Sequence, residues 1–146
     1  MGTVNFILVR KKSKELPTEM VSVQAIENCG LEGDHYNKPG GSRQITIIQQ
    51  EHLDEASDEL NFTVKPILTR RNIVVQGVSL NSIPNNSYIR IGEAVVQKTG
   101  DCPPCETMNK NLGKGGRAAL EGKGGITARI SKGGTIKIGD LLEILN

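Results

Sequence analysis

Short runs of β-branched and aliphatic residues recur along this chain, and they constrain its fold more than any other feature. Each run is bounded by glycine, proline, asparagine or charged residues, as strands are. Many short strands without regular intervening helices favour a closed or nearly closed antiparallel sheet, because closure removes unpaired strand edges. The predicted strands are 5–9, 44–48, 73–75, 88–91, 94–97, 126–130, 135–138 and 141–145. The sequence therefore predicts a mostly β, barrel-like fold.

Two segments predict short helices instead of strands. Residues 49–60 place Leu53, Ala56 and Leu60 three and four residues apart with acidic residues between them, which is an amphipathic pattern. Residues 104–112 begin with a proline, which the first turn of a helix tolerates. A chain of 146 residues is long enough for one hydrophobic core. We therefore expect a single domain over residues 1–146.

Charge is unevenly distributed along the chain. Residues 49–60 contain five acidic residues and no Lys or Arg, so this segment carries −5; since the whole chain carries +2, the remainder carries +7. A basic remainder attracts anions. Two Tyr, two Phe and no Trp leave little for base stacking, and no nucleic-acid recognition motif is present. The composition therefore disfavours nucleic acid as a partner and favours a small phosphorylated ligand.

The cellular compartment bears on the cysteines. The N-terminal apolar run precedes Arg10, Lys11 and Lys12, which is the reverse of a signal peptide's order, and the apolar runs are too short to span a membrane. We therefore expect a cytoplasmic protein with no membrane association. Its three cysteines are then expected to be reduced thiols and not a disulfide framework.

The segment Cys102-Pro103-Pro104-Cys105 concentrates the candidate chemistry. It lies at a predicted helix start, where free N–H groups and the helix dipole stabilise a thiolate. Zinc would need two more ligands, and Cys29, His35 and His52 do not supply a matching second motif. Two alternatives stay open at this stage. The pair could cycle as a dithiol oxidoreductase, or both cysteines could be incidental residues of a turn.

Two polar segments are candidate anion sites. Arg70, Arg71 and Asn72 directly precede a predicted strand, and paired guanidinium groups can grip a phosphate. Gly33-Asp34-His35, followed later by Arg43 and Gln44, could line a pocket. Taken alone, the first segment is better explained as a solvated basic strand end, and the second could simply be a polar loop. The glycine-rich stretches after residue 112 lack the Ser or Thr that a P-loop needs, so they predict turns.

Together these segments resemble the MOSC domain family, which is named for its similarity to the C-terminal part of molybdenum cofactor sulfurase. The segments that carry the resemblance, in order, are Gly30-Leu31-Glu32-Gly33-Asp34-His35, Arg43-Gln44-Ile45-Thr46-Ile47-Ile48, Arg70-Arg71-Asn72-Ile73-Val74-Val75-Gln76-Gly77, Ile91-Gly92-Glu93-Ala94, Gly100-Asp101-Cys102-Pro103-Pro104-Cys105, Gly124-Gly125-Ile126-Thr127-Ala128-Arg129-Ile130, Gly133-Gly134-Thr135-Ile136 and Gly139-Asp140. Any one of them is weak, but their order is specific.

The resemblance implies a barrel-like β fold, bound molybdenum cofactor (molybdopterin), and a cysteine that carries persulfide sulfur or ligates molybdenum. By position that cysteine is Cys105, with Cys102 as a second candidate for the catalytic thiol. The implied cofactor-binding residues are Arg70, Arg71, Asn72, Arg43, Gln44, His35 and Arg129. The chain would act as a sulfur-transfer protein or as a component of a molybdenum-dependent reductase of N-hydroxylated compounds. A sulfur donor or redox partner protein would serve it. A non-catalytic module that binds an anionic ligand is the remaining alternative.

Overall fold

Eleven β-strands and three short helices make up the computed structural model, which describes residues 2–12, 15–104 and 106–145. The strands are β1 (Gly2–Val9), β2 (Thr18–Met20), β3 (Ser22–Ile26), β4 (Gly30–Leu31), β5 (Ile45–Gln49), β6 (Ile73–Gln76), β7 (Tyr88–Ile91), β8 (Ala94–Asp101), β9 (Ile126–Lys132), β10 (Gly134–Lys137) and β11 (Leu141–Leu145). The helices are α1 (Gln50–Leu60), α2 (Glu106–Leu112) and α3 (Gly116–Ala119). The predicted mostly β fold is confirmed.

Seven of these strands close into a barrel. Their order is β11-β7-β8-β9-β5-β6-β1, and pairing of Gly2 with Leu142 and of Thr3 with Leu141 joins the two ends. Strand β2 adds to β1 outside the ring, and β10, β3 and β4 form a separate three-stranded sheet. Closure gives the barrel strands hydrogen-bonding partners on both sides, which is why short strands suffice.

One pair in the barrel is parallel, which departs from the closed or nearly closed antiparallel sheet that the sequence predicted. Strand β5 pairs with β6 in parallel, with Ile47 opposite Ile73. Two parallel neighbours need a crossover connection, and α1 supplies it because β5 runs directly into this helix. Helix α1 lies against the outside of the barrel, where its buried Leu53 and Ala56 join a cluster with Ile48 and Val74.

The barrel interior is packed with aliphatic side chains. Every residue in its buried cluster is Val, Ile, Leu or Ala, as a chain with 3% aromatic residues requires. Strand β5 is buried along its whole length, because its inner face meets this cluster and its outer face meets the helices. The functional groups must therefore lie at the ends and rims of the barrel.

The sequence-predicted helices form with small shifts in their starts. Helix α1 matches the prediction to within one residue. Helix α2 begins at Glu106 and not at Pro104. A residue before proline avoids helical backbone angles, which disfavours a helical Pro103, and the carbonyls of Cys102 and Pro103 accept hydrogen bonds from Arg71. Strands β2, β3 and β4 were not predicted, since they are short and β2 is fully exposed. Within the described ranges, no helix is long and apolar enough to cross a membrane.

Glu51 should stabilise the start of α1 in a pH-dependent way. Its Oε2 accepts a hydrogen bond from the Gly77 backbone N–H at 2.9 Å. Partial burial opposes the charge of this carboxylate, but the hydrogen bonds from Gly77 and Gln49 outweigh it and lower the pKa of Glu51. At pH 7 we expect Glu51→Gln to lower the free energy of unfolding by roughly 0.5 kcal/mol, a small value because the group is exposed.

Because the folded-state pKa is depressed, this stabilisation is present above the unfolded pKa and disappears as the pH falls through the folded one. Urea unfolding at pH 7 and pH 3 measures the difference between variant and wild type. Glu59→Gln, which removes an acid near the unfavourable C-terminal end of α1, is the control and should cost nothing. A Glu51→Gln deficit that is as large at pH 3 as at pH 7 would contradict the assignment.

Candidate functional site

A basic cleft lies at one end of the barrel, where β1 ends and β6 begins. Its outer part has a volume of about 500 Å³ and is lined by Arg10, Glu15, Leu16, Arg70, Thr107, Lys110 and Asn111. A narrow inner part, about 10 Å³ in volume and large enough for a single water, is lined by Leu8, Arg10, Pro17, Asp34, Tyr36, Arg43, Thr46, Arg70, Arg71 and Asn72. Arg10 and Arg70 line both parts. Cations outnumber acids along these walls, so the cleft suits an anionic ligand.

Arg70 has an unusual backbone conformation at the floor of this cleft. Its φ is +60°, in the left-handed region that non-glycine residues rarely adopt. In this conformation its Nη1 donates a hydrogen bond to Thr107 Oγ1 on α2 at 3.1 Å. Strained backbone of this kind is concentrated at functional sites. Arg70 thus connects the strand end to the helix that directly follows Cys105 in the sequence.

Arg10 provides a second guanidinium beside Arg70. It directly follows β1 and is buried, with 7% of its surface exposed. Burial, and after it the positive charge of Arg70, lower the pKa of Arg10 below its usual value. The Asp34 carboxylate joins the backbone of Arg10 to that of Tyr36. Its Oδ1 accepts a hydrogen bond from the Arg10 N–H at 2.9 Å, and its Oδ2 accepts one from the Tyr36 N–H at 3.2 Å. Two adjacent guanidinium groups favour binding of an anion, which relieves their mutual repulsion.

Tyr36 and Arg43 form the opposite wall of the inner cleft. The Arg43 guanidinium carbon lies 5.2 Å from the centre of the Tyr36 ring, in a cation–π contact. His35 makes an edge-on contact with the same ring at 5.2 Å between centroids, and its side chain is exposed. His35 itself is not among the residues lining either part of the cleft. The structure therefore brings Arg43 to the cleft and leaves His35 behind Tyr36.

Asn72 lines the inner cleft, but its side chain is used to join strands. Its Oδ1 accepts hydrogen bonds from the Thr46 N–H at 3.0 Å and the Thr46 hydroxyl at 3.1 Å. Its Nδ2 donates to the Leu8 carbonyl at 3.2 Å. These bonds tie β6 to β5 and β1. Asn72 thus sets the shape of the cleft floor.

Arg71 follows Arg70 in sequence but is buried, with 3% exposure. Its Nε donates to the Gly124 carbonyl at 2.7 Å and its Nη1 to that of Thr69 at 3.1 Å. Its Nη2 donates to the carbonyls of Cys102 and Pro103, both at 3.2 Å. The sequence grouped Arg71 with the cofactor-binding residues, whereas these four hydrogen bonds are all to backbone carbonyls of the protein itself.

Gln44 and Arg129 lie away from the basic cleft. Gln44 is buried, donates to Asn28 Oδ1 at 3.3 Å and accepts from the Ile130 N–H at 2.9 Å. Arg129 donates from Nε to the Gly41 carbonyl at 3.2 Å. Both side chains hold the loop before β5 against β9. The structure does not bring them together with Arg70.

Of the two cysteines in the CxxC segment, the structure describes Cys102. Cys105, predicted as the catalytic thiol and metal ligand, lies outside the described residues. Cys102 is 1% exposed, and its backbone N–H donates to the Gly125 carbonyl at 2.8 Å. Buried thiols of this kind react slowly. Within the described ranges, no three His, Cys, Asp or Glu side chains are grouped so that they could hold a metal.

The sequence did not identify several residues of the cleft, among them Arg10, Glu15, Tyr36, Thr107 and Lys110. Arg10 could have been marked as a cation at the end of a predicted strand, and Lys110 as one in the helix after Cys105. No local pattern places these residues next to Arg70, because only barrel closure and the packing of α2 do so. Arg70 is therefore the part of the outer cleft that the sequence predicted, and the fold adds the other residues.

A family model described as "MOSC domain" matches residues 33–143, which is more than half of the chain. Comparison with curated proteins gave no significant match.

Solved structures with the same fold come from several bacteria. The YUAD protein from Bacillus subtilis is similar with a TM-score of 0.84 at 19% identity, covering 99% of this chain and 96% of that one. YiiM from Geobacillus stearothermophilus gives 0.82 at 18% identity, covering 100% of this chain and 76% of that one. YiiM from Escherichia coli gives 0.74 at 20% identity, covering 99% and 70%. These similarities establish the fold.

Proposed function

This chain belongs to the MOSC domain family, and from that premise we propose that residues 1–146 act as one molybdenum-cofactor-associated domain whose working thiol is Cys105. The thiol would either ligate molybdenum or carry sulfur as a persulfide. The basic cleft beside α2 would hold the phosphate of the cofactor. The observation that supports this most is the convergence of Arg10, Arg70 and Lys110 on one cleft next to the helix that follows Cys105.

The donor set of the cleft fits a phosphorylated pterin. A volume of about 500 Å³ is within the usual range for a small-molecule site. Arg70 and Lys110 would bind phosphate oxygens, with the Thr107 hydroxyl close by, while Arg10 adds charge from behind. Glu15 on the same wall can accept hydrogen bonds from ring amino groups. The thiolate of a cysteine is a preferred ligand of soft metals, which suits Cys105 for molybdenum.

Each part of the site has a separate task in this proposal. When bound, the cofactor supplies two-electron redox chemistry at its metal. The cationic walls orient it through its phosphate, and the Tyr36–Arg43 wall closes the inner end of the cleft. Reduction of N-hydroxylated compounds is the reaction class that fits a reductase component, with a redox partner protein as the electron source. The physiological partner would dock near the mouth of the cleft.

In the sulfur-carrier version, the chemistry is a single exchange at Cys105. Its thiolate attacks the outer sulfur of a donor persulfide, a new S–S bond forms on Cys105, and the donor's S–S bond breaks to release a donor thiolate. No net oxidation occurs, since the sulfane sulfur passes between two thiols. A cationic cleft beside the segment would favour the thiolate form of the attacking group.

Protein purified from a host that makes the cofactor tests both versions. We expect near-equal amounts of molybdenum and protein, or added sulfur on Cys105 by residue-resolved mass spectrometry. Cys105→Ser should abolish whichever is found, because the hydroxyl neither carries sulfane sulfur nor replaces a thiolate ligand. Cys29→Ser, at a partly exposed thiol, is the control and should change neither.

Some outcomes would contradict the proposal. Full sulfur or metal loading in Cys105→Ser would remove Cys105 from its role. Disulfide-reduction activity lost equally in Cys102→Ser and Cys105→Ser would favour the dithiol oxidoreductase. Wild-type protein with neither metal nor sulfur, and with unchanged ligand affinity in Cys105→Ala, would favour a non-catalytic binding module.

A further inference from the structure

Arg71 lines the narrow inner part of the cleft, but its guanidinium donates hydrogen bonds to backbone carbonyls, two of them in the CxxC segment. We propose that Arg71 is a positioning residue, which fixes the Cys102–Pro103 segment and thereby the approach of Cys105 to the cleft, and which does not itself bind the ligand. The proposal rests on the proposed function only in taking Cys105 as the working thiol. Its basis is the set of four backbone carbonyls that the Arg71 guanidinium contacts.

These carbonyls belong to three separate parts of the chain. Thr69 lies in the turn before β6, Gly124 in the loop before β9, and Cys102 and Pro103 in the connection from β8 to α2. A guanidinium has five N–H donors in a fixed planar fork, so one side chain can satisfy all of them at once. A lysine ammonium at the same place has a single nitrogen. The arrangement therefore requires arginine in particular.

The segment has few other means of staying fixed. Pro103 and Pro104 have no N–H, so neither can donate a backbone hydrogen bond to a neighbouring strand. Buried carbonyls without a donor are costly, and Arg71 supplies donors to the buried carbonyl of Cys102 and to the partly buried one of Pro103. A Cβ placed on Gly124 would collide with the Cys102 carbonyl oxygen, so the segment packs directly on the glycine backbone. Arg71 and Gly124 together hold it in place.

Covalent geometry connects this fixed segment to the working thiol. Only Pro104 stands between Pro103 and Cys105 in the sequence. Consecutive Cα atoms are about 3.8 Å apart, so two steps span at most about 7.6 Å. Fixing the Pro103 carbonyl therefore limits where Cys105 can lie. Loss of Arg71 would release this limit without removing a cation from the outer cleft, where Arg10, Arg70 and Lys110 lie.

The buried thiol of Cys102 reports on the segment directly. It is 1% exposed, so iodoacetamide should modify it slowly in the wild type. In Arg71→Lys, which keeps the charge but loses the fork, we expect Cys102 to react at least tenfold faster. Peptide mass spectrometry with fragmentation separates Cys102 from Cys105. Arg71→Met removes the charge as well as the fork, and the rate of Cys102 modification should rise in this variant too.

Two comparisons separate positioning from the other roles that a buried arginine can have. Pyrophosphate binding, measured by calorimetry, should stay within about twofold of wild type in Arg71→Lys and fall at least tenfold in Arg70→Gln. Lys98→Met removes another buried cation that donates to backbone carbonyls, those of Leu80 and Ile83. This control should lose stability while Cys102 stays protected.

A fall in pyrophosphate affinity in Arg71→Lys as large as that in Arg70→Gln, with Cys102 still protected, would overturn the proposal in favour of a ligand-binding Arg71. Equal exposure of Cys102 in Lys98→Met would overturn it in favour of general loosening of the barrel. Failure of the proposed function is recognised separately, because it would appear as wild-type protein lacking both metal and sulfur. The Cys102 rates decide the role of Arg71 in that case as well.

Discussion

Gly125→Ala is expected to lower the free energy of unfolding by roughly 3 kcal/mol, because the added Cβ would cause both backbone strain and a steric clash. Gly125 has a φ of +91°, and a Cβ there would collide with the carbonyl oxygen of Ile47. The same Cβ would lie 2.9 Å from the Ile47 carbonyl carbon and 3.1 Å from the Ile48 Cα. Ile47 and Ile48 are fully buried in β5, between the interior cluster and the helices, so the strand cannot move aside.

Thermal unfolding should show this loss as a fall in melting temperature of about 10 °C. Gly122→Ala is the matched control, since Gly122 also has a positive φ, +72°, but no atom within 4 Å of the added Cβ. It should cost only about 1 kcal/mol, the usual penalty for a left-handed residue with a side chain. Equal losses in the two variants would show that backbone strain alone, and not the approach to β5, explains the glycine.

Arg70→Gly is expected to separate ligand binding from folding. The φ of +60° at Arg70 suits glycine, so relief of strain should offset the lost hydrogen bond to Thr107, each being about 1 kcal/mol. The free energy of unfolding should then stay within about 1 kcal/mol of wild type. Pyrophosphate affinity should fall roughly 10- to 100-fold, because a charge-assisted contact to the anion is lost.

Urea unfolding and calorimetric titration of pyrophosphate measure the two effects on the same samples. Arg90→Gln is the control for net charge. Arg90 is an exposed cation in β7, three strands away from β6 around the barrel, and it pairs with Glu143 at 3.9 Å. It should leave affinity within about twofold of wild type at 0.15 M salt, where distant charges are screened. An equal loss in Arg90→Gln would show that the cleft attracts anions only through the overall charge.

Much of the barrel could be predicted from the sequence, because strands such as β7 and β11 have clear β-type runs between turn residues. The parallel pairing of β5 with β6 could not, since it depends on these two strands becoming neighbours in the barrel, joined by the crossover through α1. The short strands β2, β3 and β4 were missed for a related reason. Strand β2 forms because β11 covers only Gly2 and Thr3 on that edge of β1 and leaves Ile7–Val9 to pair, while the residues of β2 itself are all exposed.

The candidate site was predicted only in part. Arg43, Arg70, Arg71 and Asn72 were identified by residue type and position, and the fold brings all four to the inner cleft. Gln44, His35 and Arg129 came from the same segments but lie outside its walls. Adjacent side chains on a strand point to opposite faces, so a residue next to a site residue in the sequence need not face the site.

Arg70 and Arg71 show where sequence and tertiary structure divide. The sequence by itself determined a β-rich chain of this family, a paired cation before β6, and a CxxC segment before a helix. It could not distinguish the two arginines, which have the same side chain and adjacent positions. The tertiary structure decided between them, because the left-handed backbone at Arg70 sends one guanidinium toward α2, while the other donates to the adjacent Thr69 carbonyl and to carbonyls of two segments distant in sequence.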